Sequence, residues 1–152
     1  MTPEKAQVST RREQWGRRAR AASKVALGAA LIAAGAAHLT TRREEFRAQV
    51  PEWVPFDTDD VVVWSGYAEL ALGAATLVTW KQPHRARTGR AGALFFLAVL
   101  PGNVAQWLER KDGFGLDTDQ KRLARLAFQP GLMAWAVYAG DTRAPRRAAQ
   151  QA

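Results

Sequence analysis

The chain has no cysteine and only two histidines among its 152 residues. Without cysteine it has no disulfide, no thiolate metal site and no thiol exchange of its own. Two histidines cannot build a histidine-rich metal centre, so no metal site is expected. Walker A, dinucleotide-binding glycine, HExxH and Gly-x-Ser-x-Gly motifs are all missing. No self-contained catalytic motif is left, and no intrinsic cofactor is implied.

Charge is also missing, but only locally. Val25–Thr41, Ala91–Leu108 and Leu126–Gly140 contain no charged residue, and Val61–Trp80 contains only Glu69. These four stretches hold 70 residues and one of the 36 charged side chains. A soluble amphipathic helix places a charge every three or four positions on its wet face, and these stretches have no such face. Two of them reach the roughly 18–20 residues of a membrane span. The first and last reach it when extended through Ala21–Ala22 or Leu123–Ala124, with Lys24 or Arg125 snorkelling to the headgroups. The expected fold is therefore all-α, a transmembrane four-helix bundle with the lipid bilayer as its first partner. It divides into a basic tail (1–20), a four-span membrane domain (21–141) and a second basic tail (142–152). A soluble bundle of unusually apolar helices is the competing reading.

Read as averages, a net charge of +8, a pI near 10.8 and a mean hydropathy of −0.27 suggest a soluble nucleic-acid binder. The distribution argues otherwise, and no nucleic-acid partner is expected. The segment before the first span, the loop between spans two and three, and the C-terminal tail carry 14 Lys and Arg; the other two loops carry 8, with ten of the 14 acids. By the positive-inside rule both termini are cytoplasmic, in a multi-pass protein of a bacterial-type plasma (inner) membrane. An alternative is a cleaved signal peptide built on Val25–Ala37, which would leave three spans and remove His38 from the polar set.

Small and polar residues recur at three- and four-residue spacing, which places them on one face of each span. The faces are Gly28, Leu31, Gly35, His38; Gly66, Glu69, Gly73, Thr76; Gly92, Phe96, Val99, Asn103, Gln106; and Leu126, Gln129, Met133, Ala136, Gly140. With the N-terminus inside, the strongly polar members all fall in the outer half. They are expected to converge on a pocket lined by His38, Ser65, Glu69, Asn103, Gln106, Arg125 and Gln129, with Phe95, Phe96 and Met133 as its apolar part. Glu69 is the sharpest feature, since a carboxyl within a span costs roughly 2.5–3.5 kcal/mol on insertion scales. Glu69 and His38 are the candidate proton carriers; a purely structural hydrogen bond is the plainer alternative. Pro101 and Pro130 free carbonyls within spans three and four. Phe46–Phe56, with Trp53 between Pro51 and Pro55, is too apolar for a solvated loop and is expected to lie as a lid on the outer face.

These residues carry a resemblance. Gly35-Ala-Ala-His38, Phe46 followed by Val50-Pro51-Glu-Trp53-Val-Pro55, Ser65-Gly-Tyr-Ala-Glu69, Pro101-Gly-Asn103 and Arg125-Leu-Ala-Phe-Gln129 occur in this order over roughly residues 25–140. In this the chain resembles the DoxX and DoxX-like family of small four-span bacterial membrane proteins. It departs from the family at Leu39, where Phe is common, and in the charged run Arg42–Glu45. The resemblance implies a four-helix membrane bundle that is at most a subunit of an oxidoreductase complex. Some relatives are membrane subunits of thiosulfate:quinone oxidoreductase, and others assist maturation of a redox enzyme or act as membrane chaperones. Three functions follow as expectations. The first is an accessory subunit binding a quinone-like or other amphipathic molecule, redox-linked through a protein partner. The second is a non-enzymatic assembly factor. The third is a small transporter, which would need homo-oligomerisation.

Overall fold

The computed structural model describes the backbone of residues 3–141 and the side chains of 11–141. The basic tail expected at 142–152 lies outside the described residues. Five helices make up the fold: α1 (Pro3–Leu39), α2 (Arg43–Arg47), α3 (Thr58–Val78), α4 (His84–Leu108) and α5 (Asp119–Gly140). No strand occurs among the described residues. α1 is longer than the sequence suggests: residues 3–20, expected as a separate tail, continue the first span as one helix. Nothing in that stretch breaks a helix, because its charged residues are good helix formers and no proline interrupts it after Pro3.

Among the described residues three helices are long and apolar enough to cross a membrane: α1 over Arg11–Leu39, α3 and α4. α5 matches α3 in length but carries Asp119, Lys121, Arg122 and Arg125 in its first two turns. Large apolar side chains cover the outside, among them Trp64, Tyr67, Val78, Leu94, Leu108 and Phe128, each more than half exposed. In water such a surface would aggregate; against acyl chains it is the expected exterior.

The helices pack as two close antiparallel pairs, α1 with α3 and α4 with α5. Glycine makes both pairings possible. A Cβ on Gly35 would stand 2.6 Å from the Gly66 carbonyl oxygen, and one on Gly73 2.8 Å from that of Gly28. Gly89 and Gly140 do the same for α4 and α5, where an added Cβ would meet the opposing Cα at 2.7 Å. Backbones this close gain dispersion along their whole length, which is the main attraction between helices in lipid. Leu27, Leu31, Phe96, Ala136 and Ala139 form the buried core between the pairs.

The end bearing His38 is called upper here, and the end bearing Lys24 lower. Lys24 does not snorkel. It is 2 % exposed, and its Nζ donates to the Leu77 carbonyl at 3.1 Å while lying 3.8 Å from the Trp80 ring centroid. The reason is the last turn of α3, whose unpaired carbonyls offer a better partner within reach than the interface does. Arg85 does the same for α5, donating from Nε and a terminal nitrogen to Ala139. Two cations thus cap two helix C-termini and close the lower end.

Candidate functional site

Above the core the two helix pairs separate around a cavity of about 290 Å³. His38 comes from α1, Ser65 and Glu69 from α3, Asn103 from α4, and Arg125 and Gln129 from α5; all six line it. Each is there because its helix turns its small-residue stripe inward. Glu69 lies three residues from Gly66 and four from Gly73, so the glycine contacts that fix α1 against α3 also fix the carboxyl. Eleven residues separate it from the start of α3, a depth of about 16 Å.

Glu69 and His38 form one wall. Oε2 of Glu69 stands 2.9 Å from Nδ1 of His38, and both side chains are nearly buried. The same Nδ1 lies 3.0 Å from the Ala34 carbonyl. A carbonyl only accepts, so Nδ1 carries the hydrogen in that contact and directs it there. Oε2 is therefore close to the imidazole yet holds no hydrogen bond. Glu69 turns Oε2 to His38, and its side chain lines the cavity. Because Nδ1–H is committed to Ala34, a proton passes between carboxyl and imidazole only when the ring turns from that carbonyl toward Oε2.

Asn103 and Arg125 form the opposite wall. Nε of Arg125 donates to Oδ1 of Asn103 at 2.9 Å, and the guanidinium lies 5.2 Å from the Phe114 ring centroid. Like Lys24, Arg125 was expected to snorkel and instead folds inward, because Asn103 supplies a buried acceptor within reach. Its two terminal nitrogens remain for a ligand. Gln129, 3 % exposed, donates to the Phe96 carbonyl at 3.4 Å, five residues before Pro101 in the continuous helix α4. Leu27, Leu31, Phe95, Phe96, Leu132 and Trp135 supply the apolar remainder.

Two expected members are elsewhere. Gln106 does not line the cavity; it is 1 % exposed beneath the loop after α4, its amide against Gly113. One turn beyond Asn103, it has already passed the end of the cavity. Met133 packs against the core instead, and Leu132 and Trp135 take its place.

The roof is made by residues far apart in sequence. Phe46 stacks on His38 with centroids 3.2 Å apart and meets Phe114 edge-on at 4.6 Å. The Phe114 amide donates to Oε2 of Glu45 at 2.9 Å, tying α2 to the loop after α4. Gln49 packs its carbonyl on Gly102, where an added Cβ would stand 2.5 Å away. Arg122 anchors the loop from below through Asp112, Asp119 and the Lys111 carbonyl. Outside the bundle, the hydrogen bond from Arg43 to Asp59 raises the guanidinium pKa and ties α2 to α3. The sequence reading missed Gln49 and Phe114. Gln49 lines this cavity and a second one of about 190 Å³ under the lid, and its Nε2 is buried without a partner. The available signals were slight: one uncharged polar residue in the lid, and one aromatic between Gly113 and Gly115.

Residues 27–139 match the family described as Domain of unknown function (DUF8561). The chain belongs to that family. No curated protein and no solved structure matches it. The DUF8561 region begins at Leu27, the first residue of α1 to line the cavity, and extends past Trp135, the last on α5. Every wall of the cavity, and its roof, thus lies inside the DUF8561 region.

Proposed function

We propose that this DUF8561 protein is a four-span, DoxX-like membrane protein of a bacterial-type plasma membrane. Its polar cavity binds a quinone-like amphipathic molecule, and it works as an accessory subunit linked to redox chemistry through a protein partner. Both termini are cytoplasmic, and α5 is the fourth span. The lower end faces the cytoplasm, in keeping with the basic residues gathered there. The role of α1 as a cavity wall favours its retention over cleavage as a signal peptide.

The observation that carries the reading is the pairing of opposed polar walls across an apolar cavity. Glu69 and His38 can accept or return a proton on one side. The free nitrogens of Arg125 can donate on the other, and the unsatisfied amide of Gln49 from the roof. A ring with an oxygen at each end fits both: its carbonyl accepts from Arg125 or Gln49, and its hydroxyl, when reduced, donates to Glu69. The volume of about 290 Å³ is at the small end of ligand sites and suits a single-ring head. This chain holds no thiol, so the electrons would be exchanged with the partner.

The test is binding of a short-chain benzoquinone to the purified protein in proteoliposomes. Glu69→Gln keeps the shape and removes the carboxylate, and binding should weaken by about tenfold or more, ~1.4 kcal/mol, while the protein still inserts. Equal binding by both forms would remove the assignment.

A further inference from the structure

The cavity's roof and its sides differ, and the difference fixes how a ligand reaches it. Overhead, Phe46, Phe114 and Arg125 form a continuous stack from His38 to α5, and the Glu45–Phe114 bond locks it. Below, the capped lower end and the core block passage. On the α3–α4 side the lid residues Val50, Pro51 and Val54 lie with Ser65 and Val99 around the second cavity.

The α1–α5 side is different. Side-chain contacts tie the two helices in their lower halves, where Trp135 Nε1 donates to Ser23 Oγ at 2.8 Å and Arg20 reaches Asp141 and the Tyr138 ring. Higher up, Ala30 and Ala34 of α1 and Arg125, Gln129 and Leu132 of α5 line the cavity. Ala30 is exposed at the surface of the bundle and also belongs to the cavity wall. Above the Ser23–Trp135 contact, the α1 residues lining the cavity include the small Ala30 and Ala34.

Building on the quinone-like reading of this site, we infer that the cavity is entered sideways from the bilayer, between the upper halves of α1 and α5. Its ligand is therefore a membrane-dissolved amphiphile whose head lies between Glu69 and Arg125 and whose tail stays in the gap beside Ala30 and Ala34. A water-soluble metabolite has no route in. The small side chains of Ala30 and Ala34 leave room for a tail, and Gln129 and Arg125 supply polar atoms just inside the opening.

The chain's lack of cysteine makes a direct test simple, because one thiol can be introduced at Ser65 on the cavity wall and labelled with a nitroxide. In proteoliposomes, power-saturation EPR reads its collisions with oxygen, which concentrates in the bilayer, and with a water-soluble nickel chelate. Oxygen collisions should exceed nickel collisions by about tenfold or more, since the chelate does not enter hydrocarbon. They should fall when Ala30→Trp fills the gap. Nickel collisions equal to those of a labelled loop residue would overturn the proposal. So would oxygen access indifferent to Ala30→Trp, or low access to both reagents, as for a gap covered by a second copy. If the label prevents folding, quenching of tryptophan fluorescence by bromine-bearing acyl chains, compared between the native chain and Ala30→Leu, reads the same opening through Trp135 on the cavity wall. Lower quenching in Ala30→Leu supports it, and equal quenching overturns it. No quinone is used, so these outcomes are independent of the binding test above.

Discussion

At the residue scale, the site depends on charges whose partners lie inside the protein rather than in water. Lys24, Arg85, Arg122 and Arg125 all turn inward, each to a carbonyl, carboxylate or amide oxygen. Arg122 is 5 % exposed, and Arg122→Ala would leave Asp112 and the Lys111 carbonyl without their donor. The carboxylate partners of Arg122, Asp112 and Asp119, are well exposed, so the loss in thermal or denaturant unfolding should be modest, about 2 kcal/mol, and should loosen the roof first. The exposed ion pairs of that loop should be indifferent to pH near neutrality. Lys111 is held above its ordinary pKa by its hydrogen bond to Glu109, so its contribution is present at neutral pH and lost only in alkali. Asp117 is held below the ordinary carboxylate range by Lys121, so its contribution is lost only in acid. Hydrogen exchange of residues 109–118, compared across neutral pH after correction for the intrinsic rate, should be flat.

At the element scale, the helix faces were legible in the sequence because spacing fixes a face. Gly35, Gly66 and Gly73 were expected inward from periodicity, and each meets the opposing backbone. Gly66→Val should therefore force α1 from α3 and cost about 1–3 kcal/mol, read as lowered thermal stability in detergent together with weakened ligand binding. Gly131 has nothing within 4 Å of an added Cβ, so Gly131→Ala in α5 should be neutral or stabilise by about 0.4–1 kcal/mol. Helix ends were less legible. The helicity of residues 3–20 was missed because charge density marked the end of the apolar run, and a helix need not end where its apolar run does. Gln106 has the same pattern as Asn103, and only the position of the loop above it decides that one lines the cavity and the other does not. Phe114 and Gln49 reach the site through loop geometry, and no spacing rule encodes that.

At the scale of the whole molecule, the proposed orientation rests on the charge asymmetry and the proposed ligand on the cavity. Among the described residues three helices are long and apolar enough to cross a membrane, and the proposed fourth, α5, places the 79–83 and 109–118 loops on opposite sides. A single cysteine at Gln82 should resist a membrane-impermeant maleimide added outside intact cells, while one at Gly115 should react; the reverse pattern would invert the bundle. The central claim is that the cavity between Glu69 and Arg125 holds a bilayer-dissolved, quinone-like molecule. Mass spectrometry of the chain released gently from its membrane, with whatever remains bound, tests this most directly. The expected result is a small amphipathic molecule with a two-oxygen head that accompanies the native chain and is lost from Glu69→Gln. A client protein with no small molecule, or the same molecule on both forms, contradicts it.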